Sequence, residues 1–156
     1  MVFAQEPRWG TDLRLLDDLL HGDDRTPGHD LTPVRRSETG QQDLGTVTML
    51  DNLEQALLLR FMTRHGELAL LGHPDYGSRL HELIGEPNTE TTHNRAKMYT
   101  LIALAAEPRV AQVLSVDVAT DPRDRSRVNI AVSVRTLHAD TPLNLVFPFF
   151  LGGAAA

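Results

Sequence analysis

The side chains with the most obvious chemical potential lie between residues 65 and 75, where His65, Glu67, His73 and Asp75 fall within one turn-rich stretch, HGELALLGHPD. Two imidazoles and two carboxylates are a ligand set for zinc or a similar cation. Glu67 and Asp75 are also the minimum equipment for glycoside hydrolysis, which needs two carboxyl groups held roughly 5–9.5 Å apart. The surrounding sequence supports neither chemistry. No histidine pair at helical spacing brackets a glutamate, as a metalloprotease would require. His73-Pro74-Asp75 suits a turn in which the aspartate accepts hydrogen bonds from following amides. The reading that follows is four loop residues, with no catalytic residue, no metal site and no cofactor, in a protein that is not an enzyme. No Gly-rich phosphate loop and no G-x-S-x-G elbow is present. The chain has no cysteine, which excludes disulfides, thiolate ligands and a cysteine nucleophile.

A second constellation is Glu107-Pro108-Arg109, at the expected junction of a helix and a strand. Pro108 locks its own φ and restricts Glu107, so two opposite charges would leave the corner in set directions. An arginine held this way can make a bidentate contact to a partner's carboxylate. The plainer alternative is a helix stop flanked by two solvated charges.

Both constellations depend on the elements that carry them. Leu53, Leu57 and Phe61 recur at helical intervals after Asp51, with Glu54 three residues on, so the spacing predicts a first helix from about Asn52 to Arg64. Ser78 can cap a short second helix carrying Leu80, Leu83 and Ile84 and ended by Gly85. Thr89 or Thr91 starts a third, with an apolar stripe of Met98, Leu101, Ile102 and Ala105, and Pro108 ends it. Alternating runs then follow. Leu114, Val116 and Val118 share one face; Val128, Ile130, Val132 and Val134 share another, with Asn129, Ser133 and Arg135 opposite. The charged stretch between them, Asp121–Arg127, makes this a β-hairpin. A last run, Leu143 to Phe149, contains Pro148 and reads as an edge strand or a tail. Helices first and strands after imply an α+β fold of about three helices followed by an antiparallel hairpin or small sheet.

Ahead of this domain, residues 1–45 form an N-terminal segment with a short apolar periodicity at Leu13, Leu16, Leu19 and Leu20. Residues 21–45 hold few large apolar side chains and read as a long loop, ordered only against a partner. The main domain covers 46–150, and 151–156 are a tail. The 156 residues carry a net charge of -6, which argues against nucleic-acid and anionic-membrane partners. No apolar run approaches the roughly 20 residues that span a bilayer, and the N-terminus lacks the pattern of a secretory signal.

Taken in order, RWGTDLRL, DNLEQALLLRFMTRHGEL, HPDYGSRLHELIG and AEPRV followed by alternating strands resemble the baseplate wedge and sheath-initiator family of contractile injection systems. The match covers most of residues 8–137 apart from the 21–45 loop. The resemblance implies a strand region like the interlocking domain of sheath subunits, set between the baseplate core and the first sheath ring. It implies sheath subunits and baseplate wedge proteins as partners, tube and hub proteins nearby, six copies per particle, and assembly in the bacterial cytoplasm. The family's E-P-R motif falls on Glu107, Pro108 and Arg109 and is implicated in docking to the wedge. Strand addition by a sheath arm would involve Asn129, Ala131, Ser133 and Arg135. Some members carry the label "lysozyme", so a peptidoglycan-cleaving hydrolase is the alternative function. The chain's final residues, FPFFLGGAAA, do not follow the family pattern.

Overall fold

The computed structural model describes residues 9–16 and 33–152. The chain forms two compact units, residues 1–55 and 56–156.

In the first unit, β1 (Thr11–Leu13) pairs antiparallel with β4 (Thr46–Thr48), and β2 (Pro33–Arg35) pairs with β3 (Gln42–Leu44). The second pair corrects the expectation of a structureless 21–45 loop. Residues 33–44 close a hairpin through Arg36 N–H to Gln41 O (2.9 Å) and Gly40 N–H to Arg36 O (2.9 Å). Three-residue strands need only local turn chemistry, so the low apolar content did not prevent them. Residues 21–32, and Leu19 and Leu20, lie outside the described residues. The first helix, α1, runs Met49–Met62, so it starts before the expected Asp51 cap. Within this unit two buried polar side chains of α1 tie down the N-terminal segment. Asn52 Nδ2 donates to Trp9 O at 2.7 Å, and Gln55 accepts from Leu15 N–H while donating to Leu13 O, both at 2.8 Å.

The second unit is built on a three-stranded antiparallel sheet of β5 (Val110–Thr120), β6 (Arg127–Thr136) and β7 (Leu143–Phe150), in that order. One sheet face is apolar: Val116, Val128, Ile130, Val132, Val134, Leu143, Leu145, Phe147 and Phe149 are all buried. Phe61 of α1 reaches it, its ring centroid 5.6 Å from that of Phe147. The other helix, α2 (Glu90–Ala105), packs against β5. Thr89 caps it by accepting from Thr92 N–H.

Three expectations need correction. There are two α-helices among the described residues rather than three. The expected second helix is a 3₁₀ turn, Leu80–Leu83, that buries Leu80 and Leu83 and leaves Ile84 61% exposed. A four-residue segment between Ser78 and Gly85 is too short to repay α-helix nucleation. On α2 the buried side is Ala96, Tyr99, Thr100, Ala103 and Leu104, whereas Met98, Leu101 and Ile102 face outward. On β5 the register slips between Val113 and Ser115, so Leu114 is a bulge residue, 41% exposed, and does not share a face with Val116.

Candidate partner interface

The corner at Glu107 is assembled from three segments of the second unit. α2 ends at Ala105, and the chain turns through Glu107 N–H to Leu104 O and Val110 N–H to Glu107 O, both 3.1 Å. Leu137 N–H then bonds Arg109 O at 3.1 Å, which fixes the corner to the end of β6. The expectation that both charges project outward does not hold for Glu107, which is buried with 6% exposure. Its carboxylate accepts from Arg109 Nε at 2.6 Å and from Arg60 Nη2 of α1 at 3.4 Å. The cause is charge balance, since two guanidinium groups draw one carboxylate inward. Burial by itself pushes the Glu107 carboxyl up. The hydrogen bond and charge of Arg109, with Arg60 behind it, outweigh that and hold it below the usual glutamate range. Pro108 is exposed and Arg109 half-buried, so the outward parts of the motif are these two.

Arg60 is as deeply buried as its partner. Its guanidinium lies 4.5 Å from the centroid of the Tyr76 ring, a cation–π contact, and its Nε has no hydrogen-bond partner. Tyr76 is brought there by a close docking of residues 76–78 on the end of α1. Ser78 Oγ donates to Phe61 O (2.8 Å), Ser78 N–H to Thr63 O (2.9 Å) and His65 N–H to Ser78 O (2.9 Å). Gly77 has a φ of 103° at this crossing, and a Cβ there would sit 2.6 Å from Arg64 O and 2.7 Å from Thr63 O. Only glycine fits. Arg60 and Tyr76 were missed in the sequence, although Arg60 falls seven residues after Leu53, on the buried stripe of α1.

Asn129, Ala131, Ser133 and Arg135 lie together on the outward face of β6, opposite Val128, Ile130, Val132 and Val134. They do not lie on an edge. β6 is the central strand and pairs with β5 and β7 along its length. Asn129 is already engaged, since its Nδ2 donates to Asp121 Oδ2 at 3.0 Å. Asp121 also accepts from Arg123 N–H at 2.8 Å and from the Arg127 guanidinium. These donors hold its carboxyl far below the ordinary aspartate range. The hairpin loop is therefore a fixed structure around a buried carboxylate.

Among the described residues, no strand pairs with the outer edge of β7. Leu151 N–H bonds Ser126 O across to the β6 side. With the antiparallel register Val128↔Phe149 and Ile130↔Phe147, the odd-numbered residues of β7 bond β6. Asn144, Val146 and Phe150 direct their N–H and C=O groups outward, and Pro148 its C=O. Pro148 thus costs no ladder bond. Val146 and Phe150 are 58% and 44% exposed. His65, Glu67, His73 and Asp75 are all exposed on the loop after α1. Among the described residues no three His, Asp or Glu side chains converge as a metal site, and no helix is long and apolar enough to cross a membrane.

The sequence profile of the contractile injection system sheath initiator family matches residues 34–138. A solved structure from Geobacter sulfurreducens, provisionally named a tail lysozyme, is similar in fold with a TM-score of 0.58. It is 26% identical over 67% of this chain and 93% of that one. No curated protein matches.

Proposed function

This chain belongs to the contractile injection system sheath initiator family, and on that premise we propose that it joins the baseplate wedge to the first sheath ring and starts sheath polymerisation by accepting a strand at the outer edge of β7. The observation that carries this reading is the outer edge of β7, which no described strand covers, with the outward backbone groups of the exposed residues Asn144, Val146 and Phe150 beside two exposed apolar side chains, and Pro148 buried between them. An extended arm gains main-chain hydrogen bonds along such an edge, and alternate side chains give it specificity. Asn129, Ala131, Ser133 and Arg135, on the central strand β6, lie one strand removed from the guest, with β7 between. The natural guest is an extended arm of a sheath subunit.

The wedge-facing surface is the corner. Glu107 acts within it as an internal strut that sets Arg109, while Pro108 and Arg109 meet the partner. The exposed stripe of Met98, Leu101 and Ile102 on α2 leads into this corner and extends the docking surface with apolar area. Tube and hub proteins lie nearby, six copies surround the axis, and assembly takes place in the bacterial cytoplasm before the particle acts. Peptidoglycan cleavage is the competing reading, prompted by the name of the Geobacter neighbour. Its acids would be Glu67 and Asp75. Both sit on an exposed loop, with the Glu67 carboxylate accepting from Arg64 N–H at 3.1 Å, and neither is enclosed in a cleft.

Deletion of the gene, followed by electron microscopy of the particles, tests the proposal. Baseplates carrying tube without sheath are expected, with sheath restored by the wild-type chain. Sheath of normal length in the deletion strain would show that initiation lies elsewhere.

A further inference from the structure

We propose that the apolar loop at residues 66–72 of one copy seats in a cup on the first unit of a second copy, giving a head-to-tail contact between copies of this chain. The loop is a fixed knob. Leu70 is 100% and Leu71 74% exposed at its tip. The backbone beneath them is bonded throughout: Gly66 N–H to Tyr76 O, His73 N–H to Leu68 O and Gly72 N–H to Ala69 O are each 3.1 Å. Two leucines held outward on a rigid turn lose little further freedom on docking, and exposed apolar groups in such a setting mark interaction sites.

A convex apolar knob with acids beside it needs a concave receptor that is part apolar and part basic, and the same chain carries one. A cavity of about 510 Å³ in the first unit is lined by Leu13, Val34 and Leu44, together with Arg14, Arg36 and Asp43. Its three apolar residues are 38%, 48% and 43% exposed. Charge is complementary too. Two exposed acids, Glu67 and Asp75, flank the knob, while Arg14 and Arg36 stand at the cup. Arg36 pairs with Asp43 at 2.5 Å, but both are largely solvated, and such a pair is weak enough to exchange partners. Knob and cup are different surfaces, so the contact is heterologous and repeats from copy to copy, closing into a ring where the rotation allows. The inference concerns neither sheath nor wedge and goes beyond the function proposed above.

The absence of cysteine makes the test clean. Full-length Val34→Cys and Leu71→Cys chains are purified separately, shown to fold by circular dichroism, and oxidised alone and mixed. The mixed disulfide dimer is expected to form at least about tenfold faster than either self-pair, because docking raises the effective concentration of the two thiols. Adding Leu70→Asp to the Leu71→Cys chain should remove that advantage. Equal rates in mixed and single samples overturn the proposal. So does a Leu71→Cys self-pair that outruns the mixed pair, or an advantage that survives Leu70→Asp.

Discussion

A guanidinium with 9% side-chain exposure needs a counter-charge, and Arg60 has one carboxylate, Glu107, at 3.4 Å. Removing that charge leaves Arg60 buried and uncompensated, so Glu107→Gln should lower stability by about 2–4 kcal/mol in denaturant unfolding. The same variant has a signature in acid. The folded Glu107 carboxyl is held below its ordinary value, so its contribution is complete above the unfolded range near about 4.3 and is lost as pH falls through the folded value. The melting temperature of Glu107→Gln should therefore fall less steeply below about pH 5 than that of the wild type. An unchanged slope would mean that the corner carboxylate is not the group being protonated. Gly77→Ala should be among the most damaging single changes, costing about 2 kcal/mol or more, because its Cβ meets backbone and not a movable side chain; thermal melting measures it. The E-P-R motif could be read in the sequence as a corner, but not the inward turn of its glutamate. That turn depends on Arg60 as well as on Arg109, and Arg60 lies forty-seven residues away, where nothing local to the motif announces it.

At the scale of elements, the strands were legible because alternation over Val128–Val134 has one physical solution, a half-buried strand. The order of the strands was not, since alternation says nothing about which neighbours a strand has. Likewise α2 carries apolar residues on both sides, and periodicity alone cannot say which side meets β5. Leu114 illustrates a third limit: a bulge shifts the alternation by one residue and leaves no compositional mark. The strand order makes a sharp prediction. Ala131 directs its N–H toward β5, so Ala131→Pro removes an internal ladder bond from the central strand and should cost about 2 kcal/mol or more. Val146 directs its N–H away from the sheet, so Val146→Pro should retain the fold by circular dichroism. The Val146→Pro chain should nevertheless join baseplates and fail to nucleate sheath, which counting sheathed particles in micrographs will show.

For the whole molecule, the ordered set of segments from Trp9 through the strands was more legible than any single site, because each segment answers a different packing requirement of the same fold. The loop after α1, with its two histidines and two acids, reads in the sequence as turn chemistry, and its four side chains are exposed; Glu67→Gln should leave sheath assembly unchanged, and the purified wild-type chain should not clear a peptidoglycan suspension. Turbidity clearing that disappears in Glu67→Gln would restore the hydrolase. The account as a whole rests on the β7 edge, and amide hydrogen exchange reads that edge directly. In the isolated protein the amides of Asn144, Val146 and Phe150 point to solvent and should exchange quickly, while those of Ile130 and Val132 are protected by the sheet. Addition of the sheath subunit should slow exchange at Asn144, Val146 and Phe150 by about a hundredfold or more and leave the β6 amides as they were. Bound sheath with those three amides still exchanging at their free rates would contradict strand addition at β7.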